Sequence, residues 1–528
     1  MLQRAPILRV AILSILITQV ILFSRLGDAA RTQSASVASI LAVAAAPTST
    51  VIPAVPTPTT GIITTVVGSG NSGSDGDGGP ATVARLHSPS SVVVDHLGDI
   101  FVLDAANNVV REVFASTGII TTIVGLTPGA SICATPSAVD PLGDGCPAIQ
   151  ASLNVGAYNG GDLAIDNSGN LYIADTQNNR IRKVIAGPNG SITPSSIITT
   201  VAGDGNPFFN SNDLGDGGPA TDAHLAHPFS IAVDQVGNIF IDDTDHLRVR
   251  EVIAQTGIIQ NVAGSGPVGQ IPYGGDGGPA TSARLSQVRG IAVDDFDNVY
   301  IGDQRYNRVR EVIASTGIIT TVAGTGNAGF SGDGGPATDA MIDFSYGGGM
   351  SLDRAGNLFM ADTLNNRVRE IIASTGIITT VAGGGTPCAA AVDSVGDGCA
   401  PTDARLSRPT AIRLNDAGTL DIPDTGNNLV RAIAKVGYHG VPPCLVRCGP
   451  TRSVPTIGAG TQYDIVTVQD VPFIMGIQDI GNHCNNCSTH ITLPFTSTLY
   501  GKVYNAADVT SNGQVDFSGA TDTSYPDC

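Results

Sequence analysis

Short apolar runs alternate with Gly-, Asp- and Asn-rich segments along most of the chain. Residues 275–324 contain four such runs, which are rich in Val, Ile, Thr and Tyr and separated by turn-forming residues. This pattern predicts four β-strands, with a three-residue hairpin around Gly317 before the fourth. The unit recurs six times. A fixed repeat of this length predicts a closed array of four-stranded antiparallel sheets.

The number of strand copies predicts how the array closes. The fourth-strand sequence occurs at residues 62–68, 119–125, 197–203, 258–264, 318–324 and 377–383. Its first copy precedes any complete repeat, whereas the last copy of the other three strands, residues 411–434, lacks a fourth. We therefore expect the N-terminal strand to complete the C-terminal sheet, which would leave no unpaired edge.

The residues of the second and third strands carry a family resemblance. The pattern Val/Ile/Leu-Asp-x-x-Gly-Asn, followed by a hydrophobic run and then Ala-Asp-Thr-x-Asn-Asn-Arg, occurs at residues 165–182 and 352–369. It resembles the NHL repeat, in the variety found in bacterial teneurin-like NHL propellers. The resemblance implies an all-β fold, namely a six-bladed β-propeller closed by an N-terminal strand, with a small C-terminal β-rich region. Propellers support binding, scaffolding and catalysis alike.

Composition and the two ends of the chain suggest export. The 528 residues carry a formal charge of -19, which argues against nucleic acid and anionic membrane surfaces as partners. Residues 1–30 contain two Arg before an apolar run and predict a signal peptide or an N-terminal membrane anchor. Residues 31–59, rich in Ala, Ser, Thr and Pro, predict a linker. Residues 60–435 form the predicted propeller, and residues 436–528 a Cys-containing tail with a weak nidogen-like resemblance.

The cysteines support an oxidising compartment. Cys146 and Cys399 occupy the same position of two repeats, and each has a second Cys upstream, Cys133 and Cys388. This recurrence predicts two loop disulfides, and a metal site is the alternative. Disulfides are also expected in the tail, where a zinc site or a redox pair is the alternative. The tail cysteines assigned to disulfides are Cys444, Cys448, Cys484 and Cys487.

Two rows of Asp recur once per repeat and are expected on one face of the ring. One row lies in the Gly-Asp-Gly segments: Asp77, Asp144, Asp216, Asp276, Asp333 and Asp397. The other follows the second strand: Asp104, Asp175, Asp243, Asp303, Asp362 and Asp424. The second row is the candidate metal site, with Ca²⁺ as the cation. The favoured interpretation is that each Asp holds a turn, so that no cofactor is required. Arg180, Arg308 and Arg367 lie five residues after their Asp, and pairing with that Asp or with the next blade would weaken the case for a cation site.

Departures from the repeat are candidate functional positions, because a specific site must break the symmetry. Blade three has His224, His227 and His246, and blade five has Tyr346 followed by three Gly. A metal site at the three His is the alternative to ordinary surface histidines. We expect a secreted or cell-surface monomer that binds a protein or glycan partner. The alternatives are a cation-dependent lyase or hydrolase, favoured by His or Asp clustered at the channel mouth, and a structural spacer, favoured by a uniform repeat surface.

Overall fold

The computed structural model describes residues 61–126, 131–133, 141–156, 160–207, 214–266 and 273–434, and the backbone of three later strands, 488–499, 502–510 and 515–518. The chain divides into two compact units, Met1–Pro443 and Cys444–Cys528. All regular structure in the described residues is β-strand or single-turn 3-10 helix. The described part of the chain contains no helix that could span a membrane. The predictions for residues 1–30 and 31–59 lie outside the described residues.

The first unit contains six four-stranded antiparallel sheets, which are the blades of a six-bladed propeller. Blade one consists of β2 (Pro89–Val94), β3 (Ile100–Asp104), β4 (Val109–Val113) and β5 (Ile120–Val124). Blade two consists of β6 (Leu163–Ile165), β7 (Leu171–Asp175), β8 (Arg180–Val184) and β9 (Ile198–Ala202). Blade three consists of β10 (Pro228–Val233), β11 (Ile239–Asp243), β12 (Arg248–Ile253) and β13 (Ile258–Ala263). The all-β six-bladed prediction is confirmed.

The remaining blades follow the same order, with one exception that closes the ring. Blade four consists of β14 (Val288–Val293), β15 (Val299–Asp303), β16 (Arg308–Ile313) and β17 (Ile318–Ala323). Blade five consists of β18 (Met350–Leu352), β19 (Leu358–Asp362), β20 (Arg367–Ile372) and β21 (Ile377–Gly383). Blade six consists of β22 (Arg413–Leu414), β23 (Leu420–Asp424), β24 (Leu429–Ile433) and, as its fourth strand, β1 (Ile63–Val67).

The N-terminal strand closes the ring as the sequence predicts. Strand β1 pairs antiparallel with β24, with Ile63 opposite Ile433 and Val67 opposite Val430. The backbone N–H of Ile63 also donates to the carbonyl of Cys399 at 3.1 Å. The predicted hairpin is present as well, since Gly317 has a φ of 66° and donates to the carbonyl of Ile313 at 2.8 Å.

The apolar core lies between neighbouring blades, so each strand has apolar residues on both faces. In blade one, β3 is buried along its whole length, and Phe101 packs against Leu163 and Ile173 of blade two. The first strands are innermost and surround the central channel. In each blade the second and third strands are joined through a 3-10 turn: Ala105–Asn107, Thr176–Asn178, Thr244–His246, Gln304–Tyr306, Thr363–Asn365 and Thr425–Asn427.

Connections between blades carry a second set of 3-10 turns: Ala81–Val83, Ala148–Gln150, Ala220–Asp222, Ala280–Ser282, Ala337–Asp339 and Pro401–Asp403. In the second unit, β25 (Ser488–Leu499), β26 (Lys502–Thr510) and β27 (Val515–Ser518) form a three-stranded antiparallel sheet. This sheet agrees with the predicted β-rich tail.

Candidate functional site

Adjacent strands of a blade run in opposite directions, so the propeller has two distinct faces. We call the face with the 3-10 turns between second and third strands the loop face. The opposite face, the turn face, carries the tight turns between first and second strands: residues 95–99, 166–170, 234–238, 294–298, 353–357 and 415–419. The sequence analysis placed the candidate carboxylates on the loop face.

Each blade brings one Asp of each row to a single buried Arg. In blade one the Arg111 guanidinium lies 2.5 Å from Asp77 and 3.8 Å from Asp104. Arg111 and Asp104 are fully buried. The other Asp–Arg–Asp triads are Asp144–Arg182–Asp175, Asp216–Arg250–Asp243, Asp276–Arg310–Asp303, Asp333–Arg369–Asp362 and Asp397–Arg431–Asp424. The carboxylates of the loop face are therefore internally paired.

The Arg of each triad lies seven residues after the Asp that ends the second strand, whereas the Arg at five residues was expected to pair with that Asp or with the next blade. Asp303 is directly opposite Arg308 in the backbone register, but the Arg308 guanidinium donates to the carbonyls of Gly324 and Thr325 at 2.9 and 2.8 Å. Arg180 likewise donates to the carbonyl of Asp204 at 3.1 Å. Arg310, the diagonal neighbour, reaches the carboxylate instead. Arg367 also donates to a backbone carbonyl, that of Gly383.

Asp of both rows also accept hydrogen bonds from backbone N–H groups, as expected if each Asp stabilises a turn. Asp104 accepts from the N–H of His87 at 2.7 Å and from the Asn107 side chain at 2.9 Å. Asp77 accepts from the N–H of Thr122 at 3.0 Å, beside the bulge between β4 and β5. Burial raises the pKa of four second-row Asp to about 6, against the opposing effect of their hydrogen bonds and Arg partners: Asp104, Asp303, Asp362 and Asp424. The Ca²⁺ alternative stays a prediction.

The three His of blade three do not converge on one point, because each pairs with a different Asp. The Nδ1 atoms of His224, His227 and His246 lie 2.8, 2.5 and 2.9 Å from carboxylates of Asp204, Asp245 and Asp243. Within the described ranges, no group of three or more His, Cys, Asp or Glu side chains is arranged to hold a metal ion. The sequence analysis could assign no acidic partners to these His, and the structure provides one for each.

The turn face also carries an excess of acidic side chains, and these are not held by buried Arg. Its six turns contain nine Asp, one Arg and one His. In five turns the first residue is an Asp that accepts turn N–H groups, as Asp294 does from Phe296 and Asn298 at 2.9 Å. In blade six Asn415 takes this role. The nine are Asp95, Asp99, Asp166, Asp234, Asp294, Asp295, Asp297, Asp353 and Asp416. Burial, followed by the charges of Asp99 and Asp95, raises the pKa of nearby Glu112 to about 8.

A funnel lined by aliphatic and polar residues opens at the centre of the turn face. One aliphatic side chain from each blade lines it at the end of the first strand, and all six are partly exposed: Val94, Ile165, Val233, Val293, Leu352 and Leu414. The cavity measures about 230 Å³. Three turns around it present exposed apolar tips, Leu97, Val236 and Phe296, which are 52, 74 and 80% exposed.

A salt bridge that breaks the repeat symmetry spans the channel next to this funnel. Arg413 of blade six, which also lines the funnel, donates to both carboxylate oxygens of Asp162 of blade two at 3.0 Å. Asp162 also accepts from the hydroxyls of Ser91 and Ser230 at 2.6 and 2.9 Å. The backbone N–H groups of Leu163 and Ile231 donate to it as well. This Asp therefore links blades one, two, three and six through hydrogen bonds.

The family comparison agrees with the repeat pattern. The profile of the Teneurin NHL domain family matches residues 162–271. The propeller is an NHL-repeat propeller of the teneurin-like type. Teneurin-1 of Mus musculus is 27% identical over 409 residues, which cover 72% of this chain and 14% of that protein. NHL repeat-containing protein 2 of Bos taurus is 24% identical over 303 residues, covering 55% of this chain and 40% of that protein. The chain therefore spans about one seventh of the mouse teneurin's length.

Solved structures with a similar fold have lower sequence identity to this NHL propeller than the relatives above. A protein of unknown function from Bacteroides thetaiotaomicron is 14% identical, with a TM-score of 0.48 over 71% of this chain and 75% of that chain. Virginiamycin B lyase from Staphylococcus aureus is 16% identical, with a TM-score of 0.34 over 66% of this chain and 84% of that chain. Function does not follow from similarities at this level.

Two disulfides secure the NHL propeller at equivalent positions. Cys133 bonds to Cys146, and Cys388 bonds to Cys399, so both predicted loop disulfides are present. They support an oxidising compartment. The other assigned cysteines, Cys444, Cys448, Cys484 and Cys487, lie outside the described residues.

Two cavities on the loop face of the NHL propeller contain the remaining departures from symmetry. Tyr346, the departure in blade five, lines one of about 340 Å³ together with Arg408. The other measures about 380 Å³, and its lining includes His227, Phe229, Asp245 and Arg289 from blades three and four. We call it the blade-three pocket. Phe229 and Arg289 stand at one repeat position on neighbouring blades, a signal that a repeat alignment of the sequence can show.

Proposed function

We propose that this chain is an exported binding module whose NHL propeller docks a partner protein on its turn face. The observation that carries the proposal is the funnel of about 230 Å³ with its six aliphatic side chains, flanked by the exposed side chains of Leu97, Val236 and Phe296. Large exposed apolar groups next to a concavity are typical of protein interaction sites. A uniform repeat surface, which the spacer alternative predicts, would not have apolar tips on only three of six turns.

The charge around the funnel specifies the partner's chemistry. The turn residues carry nine Asp against one Arg, and that Arg354 lies 3.0 Å from Asp416. A complementary surface would place Lys or Arg around one apolar anchor side chain that enters the funnel. We expect such a complex to form faster and more tightly at low ionic strength, since Asp295, Asp297 and Asp416 are solvent-exposed.

A random peptide library displayed on phage tests this proposal with a defined probe. Selection on the full chain should enrich peptides that combine basic residues with an aliphatic or aromatic anchor. The Phe296→Ser and Val236→Ser variants introduce the residue that blade two has at the same turn position, Ser168. Each should weaken binding of the selected peptides about tenfold.

Arg305→Ala, on the loop face, is the matched control and should bind the selected peptides as the wild type does. Enrichment of acidic peptides, or equal binding by wild type and both Ser variants, would contradict docking on the turn face. The lyase or hydrolase alternative has no favouring observation in the described ranges, because the channel carboxylate of Asp162 is occupied by Arg413 and two Ser.

A further inference from the structure

Two Asp residues at or beside the blade-three pocket have no counterpart in the other blades. Asp245 lines the pocket and stands where the other blades have Ala106, Gln177, Arg305, Leu364 and Gly426. Asp242, beside the pocket, stands where they have Leu103, Ala174, Gly302, Ala361 and Pro423. Because both positions vary between blades, neither Asp is needed to form a blade. Both are therefore candidates for a specific role, separate from the turn face.

Two buried polar side chains at or beside the pocket are poorly satisfied. Thr244 lines the pocket and is 2% exposed, and Asp242, two residues earlier, is fully buried. Neither the Thr244 hydroxyl nor the Asp242 carboxylate makes a hydrogen bond of ordinary geometry. Burial raises the pKa of Asp242 well above its usual value, and only the Arg289 charge and the neighbouring Thr244 hydroxyl oppose that shift. Poorly satisfied buried polar groups are costly, and such a cost calls for a functional reason.

Arg289 is held in a fixed orientation at the pocket wall. Its guanidinium lies 4.1 Å from the ring centre of Phe229, and its Nε donates to the Gln304 side chain at 3.1 Å. Across the pocket, His227 Nδ1 lies 2.5 Å from Asp245. The planar guanidinium is thus preorganised, which lowers the entropic cost of binding a ligand.

The lining combines donors with acceptors and balances its charges. Arg289 donates, Asp245 accepts, and Thr244, Gln177 and His227 can each do both. The cation of Arg289 disfavours cationic ligands, and the carboxylate of Asp245 disfavours anionic ones. A volume of about 380 Å³ lies at the lower end of the range for small-molecule pockets, about 300–1,000 Å³. We propose that the blade-three pocket binds an uncharged sugar residue of a glycan, whose hydroxyls both donate and accept hydrogen bonds.

This assignment can be tested by probing an array of neutral and acidic glycans with the full chain. Titration calorimetry then measures the affinity for the neutral oligosaccharide that binds most strongly on the array. Asp245→Ala and Gln177→Ala should each weaken its binding at least about tenfold, since each removes a hydrogen-bonding group from the lining. Arg305→Ala changes the same loop position in blade four, outside the pocket, and should leave the affinity unchanged. Thermal unfolding verifies that each variant is folded.

The assignment is overturned if no neutral glycan binds, if only acidic glycans bind, or if both pocket variants bind as the wild type does. A Phe296→Ser variant separates the two proposals, because it should lose the selected peptides and retain the glycan. Loss of glycan binding in Phe296→Ser, with retention in Asp245→Ala, would place the glycan on the turn face and overturn the pocket assignment.

Discussion

At the residue scale, the buried Arg of each blade shows how the two Asp rows of the loop face are held in the fold. Arg310 lies 2.6 Å from Asp276 and 3.8 Å from Asp303, and its NH1 and NH2 also donate to the carbonyls of Arg284 and Gly274. A buried charge is tolerated only when it is paired and its donors are satisfied. The planar guanidinium can contact all four acceptors, which an ammonium group could not do in the same geometry.

Replacing Arg310 should be severely destabilising. Arg310→Met fills a similar volume but leaves the buried carboxylate of Asp303 without its cation. We expect the free energy of unfolding to fall by about 3–5 kcal/mol, measured by urea denaturation. The control is Arg354→Met, which removes an exposed pair with Asp416 and should cost less than about 1 kcal/mol. Equal effects of the two substitutions would contradict the structural role assigned to the triads.

A single strained residue in blade three predicts a stabilising substitution. Leu247 has a φ of 55°, in the left-handed region, where the other five blades have Asn. A side chain other than Gly, Asn or Asp costs about 1–2 kcal/mol there. In addition, the equivalent Asn179 accepts from the backbone N–H of His227 at 2.9 Å, a hydrogen bond that Leu cannot form.

Leu247→Asn should therefore raise the free energy of unfolding by about 1 kcal/mol, as measured by thermal and urea unfolding. The reciprocal substitution Asn428→Leu should lower it, since Asn428 has a φ of 54° and accepts from the N–H of Ser88 at 3.0 Å. The strain argument fails if Leu247→Asn is neutral or destabilising while the blade remains folded.

At the element scale, the ring depends on the pairing of its first strand with its last blade. Ile63, Val66 and Val67 of β1 are buried, and burying three such side chains contributes about 5 kcal/mol or more. Without β1, the paired edge of β24 would be exposed, which promotes association between chains.

Two N-terminal truncations test this closure. A chain beginning at residue 71 lacks β1, and we expect it to unfold at least about 10 °C below the full chain and to self-associate in size-exclusion chromatography. A chain beginning at residue 61 keeps β1 and should match the full chain in both measurements. An unchanged midpoint for the shorter chain would show that β1 is dispensable for the ring.

Strands and closure could be predicted from the sequence, whereas the arrangement of charge could not. The fourth-strand copies can be counted, and the predicted residues 318–324 correspond to β17, Ile318–Ala323. The pairing of Asp303 with Arg310 depends on which of two Arg on one strand turns inward, and periodicity does not decide this. For the same reason, sequence reasoning placed the candidate acidic site on the loop face and did not anticipate the Asp of the turn face. The funnel was not predicted, because its six aliphatic residues have the same sequence pattern as core positions.

At the scale of the whole molecule, the two faces differ in how their carboxylates are compensated. On the loop face, the two rows of Asp are paired with buried Arg. On the turn face, the Asp accept hydrogen bonds from backbone N–H groups, and few cationic side chains lie nearby. Carboxylates next to the turn face consequently repel one another. Burial, followed by the charges of Asp234 and Asp297, raises the pKa of Glu251, and burial with the charge of Asp294 does the same for Glu311.

These raised pKa values predict that the protein loses stability as the pH rises above mildly acidic values. Burial raises the pKa of Asp421 from 3.8 to about 8, and Glu112 moves from 4.5 to about 8. Between those limits the folded state binds more protons than the unfolded state, so the free energy of unfolding falls as pH increases from about 4 to about 8. We therefore expect the thermal midpoint to be higher at pH 5 than at pH 8.

Two controls separate the causes of this pH dependence. Asp421→Asn cannot ionise, so it should raise the midpoint at pH 8, change it little at pH 5, and flatten the profile. Added NaCl should reduce the part that comes from repulsion among the turn-face carboxylates, because exposed charges are screened. Added NaCl should not change the contribution of Asp421 to the pH dependence, since burial alone raises the pKa of Asp421. A midpoint that rises steadily from pH 5 to pH 8 in both wild type and Asp421→Asn would mean that paired, depressed carboxylates dominate instead.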